Sequence, residues 1–196
     1  MDWRLFHGIY DVSLHHHWVG SFFNGVEKAS IPVMVLATAA LWLFARPGGD
    51  RKWKLAAVSG LGAAALALVV NLVIHAIHDR PRPYEAHAIR HPWASSTDAS
   101  LPSDHASASL AIAFVVLAFD PVVGAVFLVA ALLIAVGRVF IGAHYPGDVG
   151  VSFAVALVAS FVVVRLARPL AAWIVRLVER LTDPVLRRIY PKRPVT

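Results

Sequence analysis

Five stretches of this chain, at residues 29–45, 55–77, 106–119, 122–141 and 149–166, are built almost wholly from apolar and small side chains. A helix of about 20 such residues crosses a ~30 Å hydrocarbon layer, so runs of this kind, repeated through the chain, point to the bilayer as solvent. Apolar residues make up 58% of the 196 positions, against roughly 45–50% in soluble domains. The expected fold is an all-α integral membrane protein, a bundle of about five transmembrane helices with amphipathic interfacial helices at the N- and C-termini. One domain is expected, with an interfacial segment at 1–28, a transmembrane core with its loops at 29–166, and a basic amphipathic segment at 167–196. In that last segment Leu170, Trp173, Ile174, Leu177 and Leu181 share one helical face, and Arg176, Glu179 and Arg180 lie largely on the other. This is the pattern of a helix lying on the membrane or packing back on the bundle.

The formal net charge of +6 would suit nucleic acid, but the basic residues cluster at helix ends rather than along an aromatic-interleaved face, so no nucleic-acid partner is expected. Arg46, Arg51, Lys52 and Lys54 lie between the first two spans. Arg165, Arg168, Arg176, Arg180, Arg187, Arg188, Lys192 and Arg193 follow the fifth. With five spans both groups fall on one side, which the positive-inside bias makes the cytoplasm of a cell-membrane protein. Arg80, Arg82, Arg90 and Arg138 then sit on the outer side, against the bias, and call for another task. With no cysteine in the chain, disulfide and thiolate chemistry are excluded.

Three polar clusters interrupt the apolar pattern: "HAIHDRPRPY" from His75, "PSDH" from Pro102 and "GRVFIGAHYPGDVG" from Gly137. The first ends the second span and the second opens the third. The fourth span returns to the same side with Arg138 and His144, and Asp148 opens the fifth. Hydropathy alone therefore gathers the three on one membrane face. Ionisable residues at membrane depth cost roughly 2.5–3.5 kcal/mol each, so such a gathering is a functional candidate. With Ser103 as N-cap of the third span, the N–H groups of Asp104, His105 and Ala106 form an anion site, which puts Asp104 among the expected phosphate-binding positions. Arg82 and Arg138 supply forked guanidinium groups for a phosphate. Pro146 suits the first helical position, which brings the Asp148 carboxylate back toward His144. A carboxylate on one imidazole nitrogen leaves the other as nucleophile. His105 remains as general acid. The chemistry expected is phosphoryl transfer through a phosphohistidine.

These motifs resemble the type-2 phosphatidic acid phosphatase superfamily, whose signature runs Lys-x6-Arg-Pro, Pro-Ser-Gly-His and Ser-Arg-x5-His-x3-Asp. Here the spacing reads His75-x6-Arg82-Pro83, Pro102-Ser103-Asp104-His105 and Gly137-Arg138-x5-His144-x3-Asp148. The "RPRPY", "PSDHA" and "HYPGDV" versions are most similar to the bacterial undecaprenyl-pyrophosphate phosphatase branch. The resemblance implies a metal-independent lipid-phosphate phosphatase without cofactor, acting on a polyprenyl pyrophosphate or another lipid phosphate. It makes His144 the nucleophile, Asp148 its partner and His105 the acid, and gives Arg82, Ser103 and Arg138 to phosphate binding.

Departures leave alternatives open. His75 stands for the signature lysine, either as a phosphate ligand or as a helix-end histidine, and Arg80 is either the substitute phosphate-binding cation, a cation behind the site, or loop surface. Asp104 either points away from the phosphate or orders His105. Gly137 replaces serine and loses a hydrogen bond. His87, Arg90 and His91 either touch a second phosphate or stay in solvent, and His15, His16 and His17 form a solvated patch rather than a metal site, since consecutive residues face apart on a helix. Two other classes remain, a phosphate-binding transporter and a vanadate-dependent haloperoxidase. Polar residues at one end of the spans rather than at the midplane weigh against the first.

Overall fold

The structure is a computed structural model that describes residues 2–45, 47, 50–89, 93 and 96–189. Among these it is all-helical: α1 (Asp2–His15), α2 (His17–Phe44), α3 (Lys52–Ile77), α4 (Pro83–Ala86), α5 (Asp104–Phe119), α6 (Pro121–Phe140), α7 (Pro146–Arg165) and α8 (Arg168–Ile189). Four of them, α2, α3, α6 and α7, are long and apolar enough to cross a membrane. The third expected span, α5, has 16 residues, about 24 Å of helix, short of the ~30 Å layer. It lies at the centre of the bundle against α3, α6 and α7. Its unbroken buried run from Ala106 to Ala113 explains why: Ala and Ser side chains let neighbouring backbones approach closely. Buried in protein on all sides, α5 needs no match to the bilayer thickness.

The first span also departs from the expectation. Helix α2 begins at His17 rather than at residue 29 and runs 28 residues, about 42 Å. The polar residues that ended the apolar window, Asn24, Glu27 and Lys28, do not end the helix. Its first turns extend past the apolar core at the end where the polar clusters gather, and there Glu27 finds an ion-pair partner in Arg138. Helix α1 packs back on this end rather than standing apart. Phe6 and Tyr10 are buried with Val139 and Tyr145, and Ser13 Oγ donates to the Phe140 carbonyl at 2.7 Å. His15, His16 and His17 are exposed at the α1–α2 junction.

At the opposite end Asp120 caps α6 by accepting from Val123 N at 3.2 Å. The same carboxylate accepts from Trp53 Nε1 at 3.0 Å and pairs with Lys52, which ties the α5–α6 turn to the start of α3. Helix α8 lies across this end. Ala171, Val175 and Leu186 face the bundle, while Leu170, Trp173, Leu177 and Leu181 face outward. The C-terminal helix therefore packs back on the bundle through one face and leaves an apolar stripe on the other. Arg46, Lys192 and Arg193 of the basic clusters lie outside the described residues.

Candidate active site

The three polar clusters meet in a pocket of about 230 Å³ whose wall includes His75, Arg82, Asp104, His105, Arg138 and His144. The elements that carry them explain the meeting. Arg138 is in the last turn of α6. The chain then turns through Gly142, at φ +79°, a left-handed conformation that glycine adopts freely. Two residues later His144 is presented. Asp148 is in the first turn of α7, where its carboxylate reaches back to accept from Tyr145 N at 2.9 Å.

His144 is 1% exposed. Its Nδ1 lies 2.6 Å from the Ser100 carbonyl oxygen. A carbonyl only accepts, so Nδ1 carries the proton and Nε2 holds the free lone pair. Nε2 lies 3.2 Å from Arg82 Nη1 and 3.2 Å from Arg138 Nη2, at the pocket wall. Burial, with the charges of Arg138 and Arg82, outweighs the Asp148 carboxylate and pushes the His144 pKa down to about 4. The ring is therefore neutral near pH 7, as a nitrogen nucleophile must be.

Asp148 differs in detail from the expectation. Its carboxylate stands 3.8 Å from Nδ1, while Ser100 Oγ donates to it at 2.6 Å and Arg80 at 2.5 Å. Its oxygens are saturated by Arg80, Ser100 and the Tyr145 N–H, so the Ser100 carbonyl fixes the tautomer and Asp148 acts on the ring through its field. Of the roles expected for Arg80, the structure fits the cation behind the site rather than the phosphate ligand. Arg80 lies outside the pocket wall, clamped between Asp148 and Asp2 (2.6 Å) with its guanidinium 4.1 Å from the Tyr145 ring centroid. Burial works against its charge, but the two carboxylates outweigh burial and raise its pKa. Proximity to Asp148 overrides any reach toward a phosphate.

Arg82 is 5% exposed, and its Nε donates to the Asp98 carbonyl at 2.8 Å. Arg138, equally buried, pairs with Glu27. Ser103 occupies the N-cap position of α5, yet its hydroxyl makes no capping bond. That oxygen is buried without a hydrogen-bond partner among the described residues, and the Ser103 N–H donates instead to Ser152 Oγ at 2.8 Å. Asp104 accepts from buried Asn71 at 2.7 Å, so it ties α5 to α3 at the pocket edge rather than ordering His105. His75 Nε2 donates to the Pro102 carbonyl at 3.0 Å, which makes it a helix-end anchor at the pocket wall. His87 stacks on Trp3, ring centroids 3.6 Å apart, away from the pocket; Arg90 and His91 lie outside the described residues. The Gly137 departure has a steric cause. A Cβ there would lie 2.8 Å from Phe23 Cδ1, in a ring stacked on Phe140 at 4.6 Å.

Sequence reasoning missed Glu27, Ser100 and Asp2. Glu27 had a signal, a carboxylate against the first apolar run on the same side as Arg138. Ser100 acts through its backbone carbonyl, and its residue type carries no signal for that.

The model of the PAP2 superfamily matches residues 56–171, more than half of the chain and all three motifs. The chain belongs to the PAP2 superfamily. It is 29% identical over 191 residues to undecaprenyl-diphosphatase BcrC of Bacillus subtilis, covering 96% of this chain and 97% of the relative. Among solved structures, Aquifex aeolicus LpxE matches with a TM-score of 0.68 at 22% identity, over 83% of this chain and 93% of that one. A transmembrane PAP2-type phosphatidylglycerolphosphate phosphatase from Bacillus subtilis matches with a TM-score of 0.58 at 20% identity, over 81% and 82%. This PAP2 chain is thus a membrane lipid phosphatase, a phosphoric ester hydrolase with the helical fold of those neighbours.

Proposed function

We propose that the protein hydrolyses a polyprenyl diphosphate, of the undecaprenyl class, to the monophosphate and inorganic phosphate. The observation that carries this is His144 Nε2, unprotonated and set between Arg82 and Arg138 at the pocket wall. The likeness to BcrC along nearly the whole chain supports the substrate. When the terminal phosphate enters, the two guanidinium groups turn from Nε2 to its oxygens, with the buried Ser103 hydroxyl as a further donor. Nε2 then attacks phosphorus and the bridging P–O bond breaks. His105, across the pocket, protonates the departing lipid monophosphate. The ring now carries phosphorus on Nε2 and a proton on Nδ1, hence a positive charge. The Asp148 carboxylate 3.8 Å away stabilises that charge and the Ser100 carbonyl holds the proton. Water, deprotonated by His105, attacks the phosphohistidine and releases phosphate. No step requires a metal.

The test is phosphate release by the purified protein from a panel of polyprenyl diphosphate, phosphatidic acid, phosphatidylglycerol phosphate and a glycolipid phosphate, with and without excess EDTA. Release is expected to persist in EDTA, with the highest kcat/KM on the polyprenyl diphosphate. His144→Ala is expected to lose at least about a thousandfold in kcat. Turnover retained in that variant removes the mechanism. A preference for another lipid removes the substrate and keeps the mechanism. Ligand binding without hydrolysis would restore the transporter reading.

A further inference from the structure

At the end of the bundle away from the catalytic pocket, α8 docks on the start of α3 through buried charge. Lys54, 1% exposed, donates to Glu179 at 3.1 Å and to Asp183 at 3.0 Å. Arg51 engages both oxygens of Glu179, at 3.1 and 2.8 Å. These two cations neutralise the two carboxylates from the α3 side. A cavity of about 490 Å³ opens beside them, lined by Arg51, Arg176, Glu179, Arg180, Asp183 and Arg187. Arg176, Arg180 and Arg187 are exposed and make no ion pair among the described residues. Three guanidinium charges therefore remain uncompensated around one cavity.

The rest of α8 says where the compensating charge resides. Leu170, Trp173, Leu177 and Leu181 are 57%, 54%, 45% and 73% exposed and form one stripe. At 100° per residue the three arginines fall between the outer edge of that stripe and the side of α8 that carries Glu179 and Asp183. A stripe of this kind inserts among acyl chains and sets the adjoining arginines at the depth of the lipid phosphates. A free phosphate would use the arginines and leave the stripe unexplained. No histidine or hydroxyl side chain lines the cavity, so it offers no nucleophile.

We propose that this cavity binds the phosphate of an anionic glycerophospholipid from the leaflet opposite the catalytic pocket, its acyl chains running along the Leu170–Leu181 stripe. The forked guanidinium groups hold the headgroup oxygens, and the bound lipid clamps α8 onto α3.

The test uses the full chain in nanodiscs of phosphatidylcholine, with or without a fraction of phosphatidylglycerol, and reads the thermal unfolding midpoint and the lipid retained in native mass spectrometry. The wild-type midpoint is expected to rise by about 3 °C or more with phosphatidylglycerol. The Arg176→Gln/Arg180→Gln/Arg187→Gln variant is expected to lose that rise and the retained anionic lipid, while its turnover in neutral discs matches wild type. The corresponding Arg→Lys triple keeps part of the rise, because the charge remains and the fork is lost. Equal midpoints for the wild type in both discs overturn the proposal, as does a rise that survives in the Gln triple, which would place the lipid elsewhere. A rise reproduced by inorganic phosphate alone overturns the lipid as its source. Should the Gln triple not fold in neutral discs, Arg180→Gln alone is expected to reduce the retained lipid, and unchanged retention overturns the proposal. Turnover is measured separately, so none of these outcomes bears on the phosphatase reaction.

Discussion

At the scale of single residues, His144, the proposed nucleophile, ties stability to pH. An ordinary histidine titrates near 6.5, and this one is held down to about 4 because its neutral ring is buried between two guanidinium groups. As pH falls from about 6.5 to 4 the unfolded chain takes up a proton that the folded chain refuses. The contribution of His144 is therefore fully present above pH 6.5, shrinks by up to about 1.4 kcal/mol per pH unit below it, and is gone below about pH 4. Denaturation of wild type and His144→Gln between pH 7 and 4.5 checks this: the stability difference between them is expected to narrow as pH falls, and a constant difference would contradict the neutral, buried ring. Gly137 makes the converse case, a residue missing from the family pattern for a packing reason. Restoring the signature serine puts Cβ 2.8 Å from a Phe23 ring carbon. Gly137→Ser is expected to destabilise the protein by about 1–3 kcal/mol, as overpacked cores do. Phe23→Ala in the same chain is expected to recover part of that loss, because it removes the clashing ring. Additive losses in a double-mutant cycle of thermal midpoints would refute the steric account.

At the scale of elements, the two terminal helices are fastened by charge, each at its own end of the bundle. Asp2 of α1 accepts from Arg80 at 2.6 Å and from the Gly147 N–H at 2.9 Å, in the first turn of α7. Arg80 passes that hold on to Asp148, and Asp148 faces His144. Asp2→Asn keeps an acceptor for Gly147 and removes the charge on Arg80. Because the Asp2–Arg80 pair is part-exposed, kcat is expected to fall only about two- to fivefold with KM unchanged. Arg80→Gln is expected to cost more, since it strips a charged partner from the buried Asp148. A rise in KM alone would mean that Arg80 meets substrate directly. At the other end, Lys54→Met leaves Asp183 without its cation and Glu179 with Arg51 alone, a loss of about 3 kcal/mol for a broken buried pair. Adding Asp183→Asn is expected to return part of it, read as thermal midpoints. Neither fastening was legible in the chain, because each joins residues more than 75 positions apart. Periodicity shows that α1 and α8 are amphipathic and cannot say against what. The spans were legible because lipid imposes a composition on every residue it touches. The exceptions are where protein replaces lipid, as around α5, or where the helix outruns the bilayer, as in the first turns of α2.

For the molecule as a whole, sidedness joins the sequence to the function. The convergence of three distant motifs was legible from hydropathy and parity alone, because each crossing reverses the chain. What hydropathy left open was which backbone carbonyl would hold the His144 ring, a detail set by the loop that carries Ser100. The same parity separates the two ends by charge. Arg51, Lys52, Lys54, Arg165 and the arginines of α8 lie at one end, and the pocket of His105 and His144 lies at the other. The positive-inside bias predicts a pocket that faces away from the cytoplasm and a C-terminal helix that faces it. The arginines at the pocket end do not break that bias in substance. Arg80, Arg82 and Arg138 are bound to carboxylates, carbonyls or the His144 imidazole, so they do not act as free topogenic charges. The chain has no cysteine, which makes the orientation directly measurable. His78→Cys is exposed at the pocket end and Arg188→Cys is exposed on α8. A membrane-impermeant thiol reagent is expected to label His78→Cys in intact cells and Arg188→Cys only after the membrane is opened. The reverse pattern would place the pocket on the cytoplasmic face, so that the lipid diphosphate would have to be presented from inside the cell.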